Sequence, residues 1–288
     1  MGLACGAQQG TSRPAREAVE AATDLSAAPR TWAVECGTQE VQLIEHPGSY
    51  LRYRMHVVDE RGDTVRDQIE TPGGSVARLI LREGRALTPE QDTAERERLT
   101  ALLNSPAAFA RHIHNEQTNK KLGADMIKLM PDAMLWSYAP GQPQPAWSSA
   151  KAAAANGQLV VLDFKPNPNW SAPTMAAQAL TGLQGRIWID RETHQMVRLE
   201  GTVVRAVNVG WGVVAHLYPG GTITLEQTHV SGERWIASHI VERLVVRALM
   251  VKTIRQEMVY DTADYQPIQP VTYQQAIRML LETPLPAH

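Results

Sequence analysis

GRIWID (185–190), HQMVRLEGTVVRAV (194–207), TITLEQTHV (222–230), RWIASHIVERLVVRA (234–248) and VKTIRQEMVYDT (251–262) follow one another with Gly, Pro, Asn or Asp signals between them. Val, Ile, Thr and Trp dominate these runs, and such side chains pack well on a pleated, half-buried surface. The links are short, so each run is expected to pair with the next, antiparallel and in chain order. Ile187, Ile189, Val197, Leu199, Val203, Ile223 and Leu225 alternate with Arg186, Arg198, Glu200 and Thr224. Buried charges without partners are costly, so one face of this sheet is the apolar one.

Strands are also expected towards the N-terminus. YLRYRMHVV, from Tyr50, runs into Asp59-Glu60-Arg61-Gly62-Asp63 and then TVRDQIE, which reads as a hairpin. Pro72-Gly73-Gly74 makes the next turn, before a third strand, SVARLILRE. Thr88 then caps a helix with Pro89 at its first position and Gln91 completing a capping box. That helix is mostly charged and shows only Leu99, Leu102 and Leu103 as an apolar patch. Ser105-Pro106 repeats the start signal for a second helix through Phe109 and Ile113, and Gly123 is expected to break it before a third over 124–130. Met126, Met130 and Met134 fall at helical spacing, with Pro131 bending or ending the helix. Pro140 to Trp147 reads as a loop, LVVLDF as a buried strand, and Lys165-Pro166-Asn167-Pro168 as the point where the chain leaves the sheet. Asp163 and Asp190 read as carboxylates that start turns. The Pro-rich C-terminus holds one short helical stretch, TYQQAIRMLL.

Composition narrows the function. The 288 residues carry a net charge of -2 with both signs interspersed, which gives no basic stripe for nucleic acid. Hydrophobic residues make up 43%, yet polar residues interrupt every apolar run short of the roughly 20 needed for a transmembrane helix. Cys5 and Cys36 are too few for a zinc cluster and are not spaced as a redox pair. A disulfide between them and two ordinary thiols both remain open. Leu3-Ala4-Cys5-Gly6 has the form of a lipoprotein cleavage site, but only four residues precede Cys5. A start site placed too late and a coincidence are equally open.

No nucleophile elbow, Walker loop or dinucleotide fingerprint is present. His112 and His114 would point to opposite sides of a helix, whereas His112 and Glu116 share a face, read as a solvated one. His194, His216, His229 and His239 lie in or beside the strand-rich stretch with no spacing that gathers them. The chain is therefore read as non-enzymatic, with no cofactor and no metal.

GRIWIDRETHQMVRLEG, with a Gly, an apolar pair around Trp, an Asp turn and an apolar-Arg-apolar strand, resembles the central hairpin of the outer-membrane lipoprotein-sorting (LolA-like) carriers and their bacterial envelope relatives. The later stretch from Asn208 through Trp235 and Lys252-Thr253-Ile254 to Gln266 is similar to the same relatives. The likeness covers roughly residues 155–265, and 45–140 only in element order. It implies an α+β fold: a strongly curved antiparallel sheet, an unclosed β-barrel, with helices across its concave face. The domain would span 31–270 with a helical insertion near 88–135, between a flexible segment at 1–30 and a tail at 271–288. The resemblance also implies the periplasm or outer membrane and an acyl chain, lipid or lipopeptide held in an apolar cavity. Its expected walls are Met126, Met130, Met134, Trp136, Ile187, Ile189, Val197, Leu199, Val203, Ile223 and Leu225. A structural or protein-interaction module with a self-filled cavity, meeting an envelope protein partner, is the alternative.

Overall fold

The computed structural model describes residues 27–140, 159–209, 215–232, 234–248 and 252–286. Among these residues thirteen strands form one sheet: β1 (Tyr50–Asp59), β2 (Gly62–Thr71), β3 (Gly74–Arg82), β4 (Arg85–Ala86), β5 (Met134–Tyr138), β6 (Leu159–Pro166), β7 (Leu183–Asp190), β8 (Met196–Val203), β9 (Val207–Val209), β10 (Ala215–Leu217), β11 (Thr222–Ser231), β12 (Arg234–Ala248) and β13 (Lys252–Ile268). Their order is β4-β3-β2-β1-β13-β12-β11-β8-β7-β6-β5, with the β9-β10 hairpin beside β12. Every pairing is antiparallel, and β4 and β5 do not meet, so the sheet is unclosed. The five β-rich runs from Gly185 onward are β7, β8, β11, β12 and β13, each paired with the next as expected.

Among the described residues four α-helices accompany it: α1 (Pro29–Glu45), α2 (Pro89–Asn104), α3 (Pro106–Ala133) and α4 (Tyr273–Glu282). The chain must travel from β4 at one edge to β5 at the other, and α3 makes most of that crossing. Its 28 residues span about 42 Å at 1.5 Å per residue. Both ends of α3 are anchored. Phe109 and Ile113 pack with Ile69, Val76 and Leu99, while Met126, Leu129 and Met130 pack against Ala133, Met134, Phe164 and Leu180.

Several expectations are corrected. Gly123 does not break α3, because packing at both ends holds one continuous helix at a local cost of about 1 kcal/mol. Pro131 lies in the last turn of α3, and Met134 belongs not to the helix but to the first position of β5. Asp163 does not start a turn; it sits within β6 and holds Arg186 in a two-pronged ion pair at 2.6 and 3.0 Å. Asp190 does start its turn, accepting from the backbone N–H groups of Glu192 and Thr193. Thr88 caps α2 with the expected box.

His112 and Glu116 share a face of α3, and that face is docked rather than solvated. His112 Nε2 lies 2.9 Å from the Ser75 carbonyl, and the Ser75 N–H donates to Glu116 at 2.8 Å. Gly74 beside it takes φ +126°, and a Cβ there would stand 2.2 Å from Ile113 Cδ1. At the C-terminus, Ala276, Ile277 and Leu280 of α4 are fully buried against β2, β3 and α2.

The bend has a visible origin. The β12-β13 ladder begins at His239 opposite Asp261, so Arg234 to Ser238 run on along β11 alone. Just beyond, Asp264 takes φ 58° and the β1-β13 register slips between Arg52 and Arg54. Such bulges bend and twist a strand. Strands β2 and β12, separated by two others in the sheet, consequently meet through an ion pair between Glu70 and Arg234 at 2.7 Å.

Candidate functional site: a cavity inside the bend

Three sizeable hollows, each open to solvent, are framed by the described residues. One, of about 400 Å³, lies between α1 and α3 and is lined by Val34, Val41, Ile127 and Pro131. Another, of about 580 Å³, lies at the β5-β7 end and is lined by Trp136, Phe164, Asp163 and Gly185. A third, of about 380 Å³, joins both wings of the sheet to the helices. Leu43, Ile44 and Ile127 wall it from α1 and α3; Met196, Leu225, Trp235 and Ile236 wall it from β8, β11 and β12.

Its polar wall draws on several elements, beginning with α1. Trp32 and Cys36 are buried on one face of that helix against Val160, Leu162, Ile187 and Ile189, and the same face carries Glu40. The Glu40 carboxylate is 6% exposed and accepts from the Met196 N–H at 2.9 Å and from Gln227 Nε2 at 2.5 Å. Burial pushes its pKa up to about 7 against the pull of those two hydrogen bonds. Burial, and next the Glu40 charge, push the Cys36 thiol up as well. On the far side, Glu70 accepts from Arg234 Nη2 and from the Leu51 N–H at 3.1 Å; burial raises its pKa against the pull of Arg234. Arg234 Nε and Gln227 Oε1 are buried without a hydrogen-bond partner among the described residues.

Of the eleven residues expected to line a cavity, Leu225 lines this one and Trp136 lines the groove at the β5-β7 end. Met126, Met130, Met134 and Leu199 pack together around Phe164 and Leu180, and Ile187 and Ile189 back α1. Ile223 packs over Gly201, and Val203 is buried near Gly221. Val197 departs from the alternation. A bulge opposite Trp188 and Ile189 inserts one residue, so Met196 stands across from Ile189 and Val197 packs with Leu159, Val161 and Trp235. Cys36 is a buried free thiol, and Cys5 lies outside the described residues. So do 210–212, most of the loop at 140–147 and residues 1–26 of the segment expected to be flexible; Pro29 and Arg30 already belong to α1.

The histidines do not converge. His239 pairs with Asp261 at 2.7 Å and His194 with Glu35 at 3.3 Å, while His229 bonds the Gly232 carbonyl and His216 stacks edge-on with Tyr218. Among the described residues no group of three His, Cys, Asp or Glu side chains could hold a metal ion, and no helix is long and apolar enough to cross a membrane.

No family model matches the chain, and no curated protein matches it. Among solved structures, it is similar to a domain from Vibrio parahaemolyticus provisionally described as an outer membrane lipoprotein-sorting protein. The match has a TM-score of 0.34 and 8% identity, and covers 86% of this chain and 97% of that one. The unclosed α+β fold stands on the strand order of this chain itself.

Proposed function

We propose that this protein is a non-enzymatic binding protein of the cell envelope that takes one acyl chain or comparably slender lipid into the cavity inside the bend. The observation that carries the reading is the cavity itself. Its volume of about 380 Å³ falls in the range of small-ligand sites, and its wall combines many apolar side chains with a few convergent polar ones. The envelope location rests on the resemblance of the β7-β8 hairpin sequence to lipoprotein-sorting carriers, and lipid attachment at Cys5 belongs to the same proposal.

Trp235 lines the cavity and so reports on occupancy. Titration with lauryl lipids is expected to change tryptophan fluorescence saturably, and extraction of the purified protein is expected to release a lipid. Leu225→Trp, which fills the cavity from β11, is expected to abolish both while the fold survives, because Leu225 is only partly buried at the cavity wall. Saturable binding that is unchanged in Leu225→Trp would place the ligand elsewhere. Absence of binding and of extracted lipid would remove the carrier reading and leave a protein-interaction module.

A further inference from the structure

Resting on that carrier reading, we propose that filling the cavity is coupled to protonation of Glu40: an acyl chain enters against the uncharged carboxyl, with a proton taken up from solvent, and is released as that carboxyl ionises. The argument starts with the surroundings of the side chain. Glu40 lines the cavity, which is open to solvent, and is itself 6% exposed. Its two hydrogen-bond donors, the Met196 N–H on β8 and Gln227 Nε2 on β11, carry no charge. The other charged or titratable groups of the wall are Tyr50 on β1, Glu70 on β2, Lys120 on α3 and Arg234 on β12. Arg234 is held by Glu70 and Lys120 by Glu116, each at 2.7 Å. On α1 itself, burial and the Glu40 charge push the Cys36 thiol up, so it stays neutral. Among the described residues no cation is paired with Glu40, and its ionised form relies on two neutral donors and on the solvent that the open cavity admits.

An acyl chain replaces that solvent with hydrocarbon. The exchange barely touches a protonated carboxyl but raises the energy of an ionised one, because the charge loses solvation and the chain returns none. No contact between ligand and carboxylate is needed, since the effect acts through the medium beside the charge. The two equilibria are then linked. If the filled cavity makes Glu40 hold its proton more tightly, the proton makes the cavity hold its ligand more tightly by the same factor. The empty protein is poised for this, since burial has already brought the carboxyl to about 7 and the ligand moves it further the same way. Affinity is therefore full below about pH 7, falls as the pH rises through that value, and levels off once the filled form has ionised as well. Each unit by which the ligand raises the pKa corresponds to about a tenfold loss of affinity across this window. Glu70 responds less, because Arg234 stays beside it in both states.

Lauryl alcohol carries the chain and has no charge at any pH used, so neither Lys120 nor a titrating headgroup enters the comparison. Titrated by tryptophan fluorescence from about pH 5.5 to about pH 8.5, it is expected to bind about tenfold more weakly at the upper end. Calorimetry of the parent protein at about pH 7, in two buffers of unlike ionisation enthalpy, is expected to show net proton uptake on binding. Glu40→Gln is expected to flatten the pH profile and to remove the proton uptake. Saturable binding whose affinity is the same across the range, or a pH dependence that survives in Glu40→Gln, would overturn the coupling and leave the carrier reading intact. Failure of the alcohol to bind at any pH would overturn the carrier reading itself.

Discussion

Glu40→Gln tests the electrostatics of the cavity wall without touching its shape. In the folded protein the carboxyl is moved from 4.5 to about 7, chiefly by burial. The folded state therefore holds the proton more tightly than the unfolded chain. Stability contributed by the protonated group is whole below pH 4.5, falls as the pH rises from 4.5 towards 7, and is gone above that. The ionised carboxylate then costs folding about 3 kcal/mol relative to the protonated form. A glutamine at this position carries no such penalty and has partners ready: its oxygen accepts from the Met196 N–H, and its amide donates to Gln227 Oε1 once that amide turns over. The variant and the parent are expected to differ little near pH 5, and the variant to be more stable by about 3 kcal/mol near pH 8. In a chain of this size that corresponds to roughly 6 °C in melting temperature. Thermal unfolding of both proteins across that range reads the difference directly, and other titrating groups cancel because they are shared. A difference that stays constant with pH would refute the buried, ionising Glu40, as would a variant less stable than the parent near pH 8.

Two further substitutions probe how the helices are fixed to the sheet. Arg78, on β3 and 1% exposed, donates to the Leu280 carbonyl at 2.7 Å, the Thr283 carbonyl at 2.6 Å and Asp92 at 2.6 Å, tying α4 and α2 to one strand. Arg78→Met is expected to lower stability by about 3 kcal/mol or more, measured by urea unfolding, because it leaves buried carbonyls and a carboxylate unmatched; a loss below half of that would show that water substitutes for the guanidinium. Gly74→Ala is expected to cost about 2 kcal/mol from its left-handed backbone and the clash with Ile113, with proteolysis of the α3-β3 contact rising in parallel. A neutral effect would mean that this turn relaxes freely.

The ladder from Gly185 onward was legible because it depends on local chemistry. β-branched runs, Asp190 at its turn and short links leave one pairing order, and the structure has it. The cap at Thr88 is equally local. The cavity was not legible, for reasons that can be named. Helix α1 carries its buried face as Trp32, Cys36 and Glu40, and a glutamate within an apolar stripe hides the helical period. The bulge that turns Val197 away from Ile187 and Ile189 has no glycine to announce it, so strict alternation assigns Val197 to the wrong neighbours. Gly123 misled in the opposite sense, because the packing that carries α3 through it comes from residues distant in the chain. The partners of Glu40 are likewise remote: Met196 and Gln227 lie 156 and 187 residues away.

These remote contacts explain why the cavity and the buried polar groups occupy the same place. A sheet wrapped round helices fills its interior wherever the side chains of strand and helix meet, as Ile187, Ile189, Trp32 and Cys36 do under α1. Where β12 leaves β13, long polar side chains make the bridges: Arg234 on β12 reaches Glu70 on β2, and Glu40 on α1 reaches Gln227 on β11. Each such bond is satisfied at one separation and is costly to break once buried, so these bridges fix the spacing between the elements they join. The geometry that keeps a hollow in this fold is therefore the same geometry that furnishes it with hydrogen-bonding groups, and a ligand that enters must answer to both.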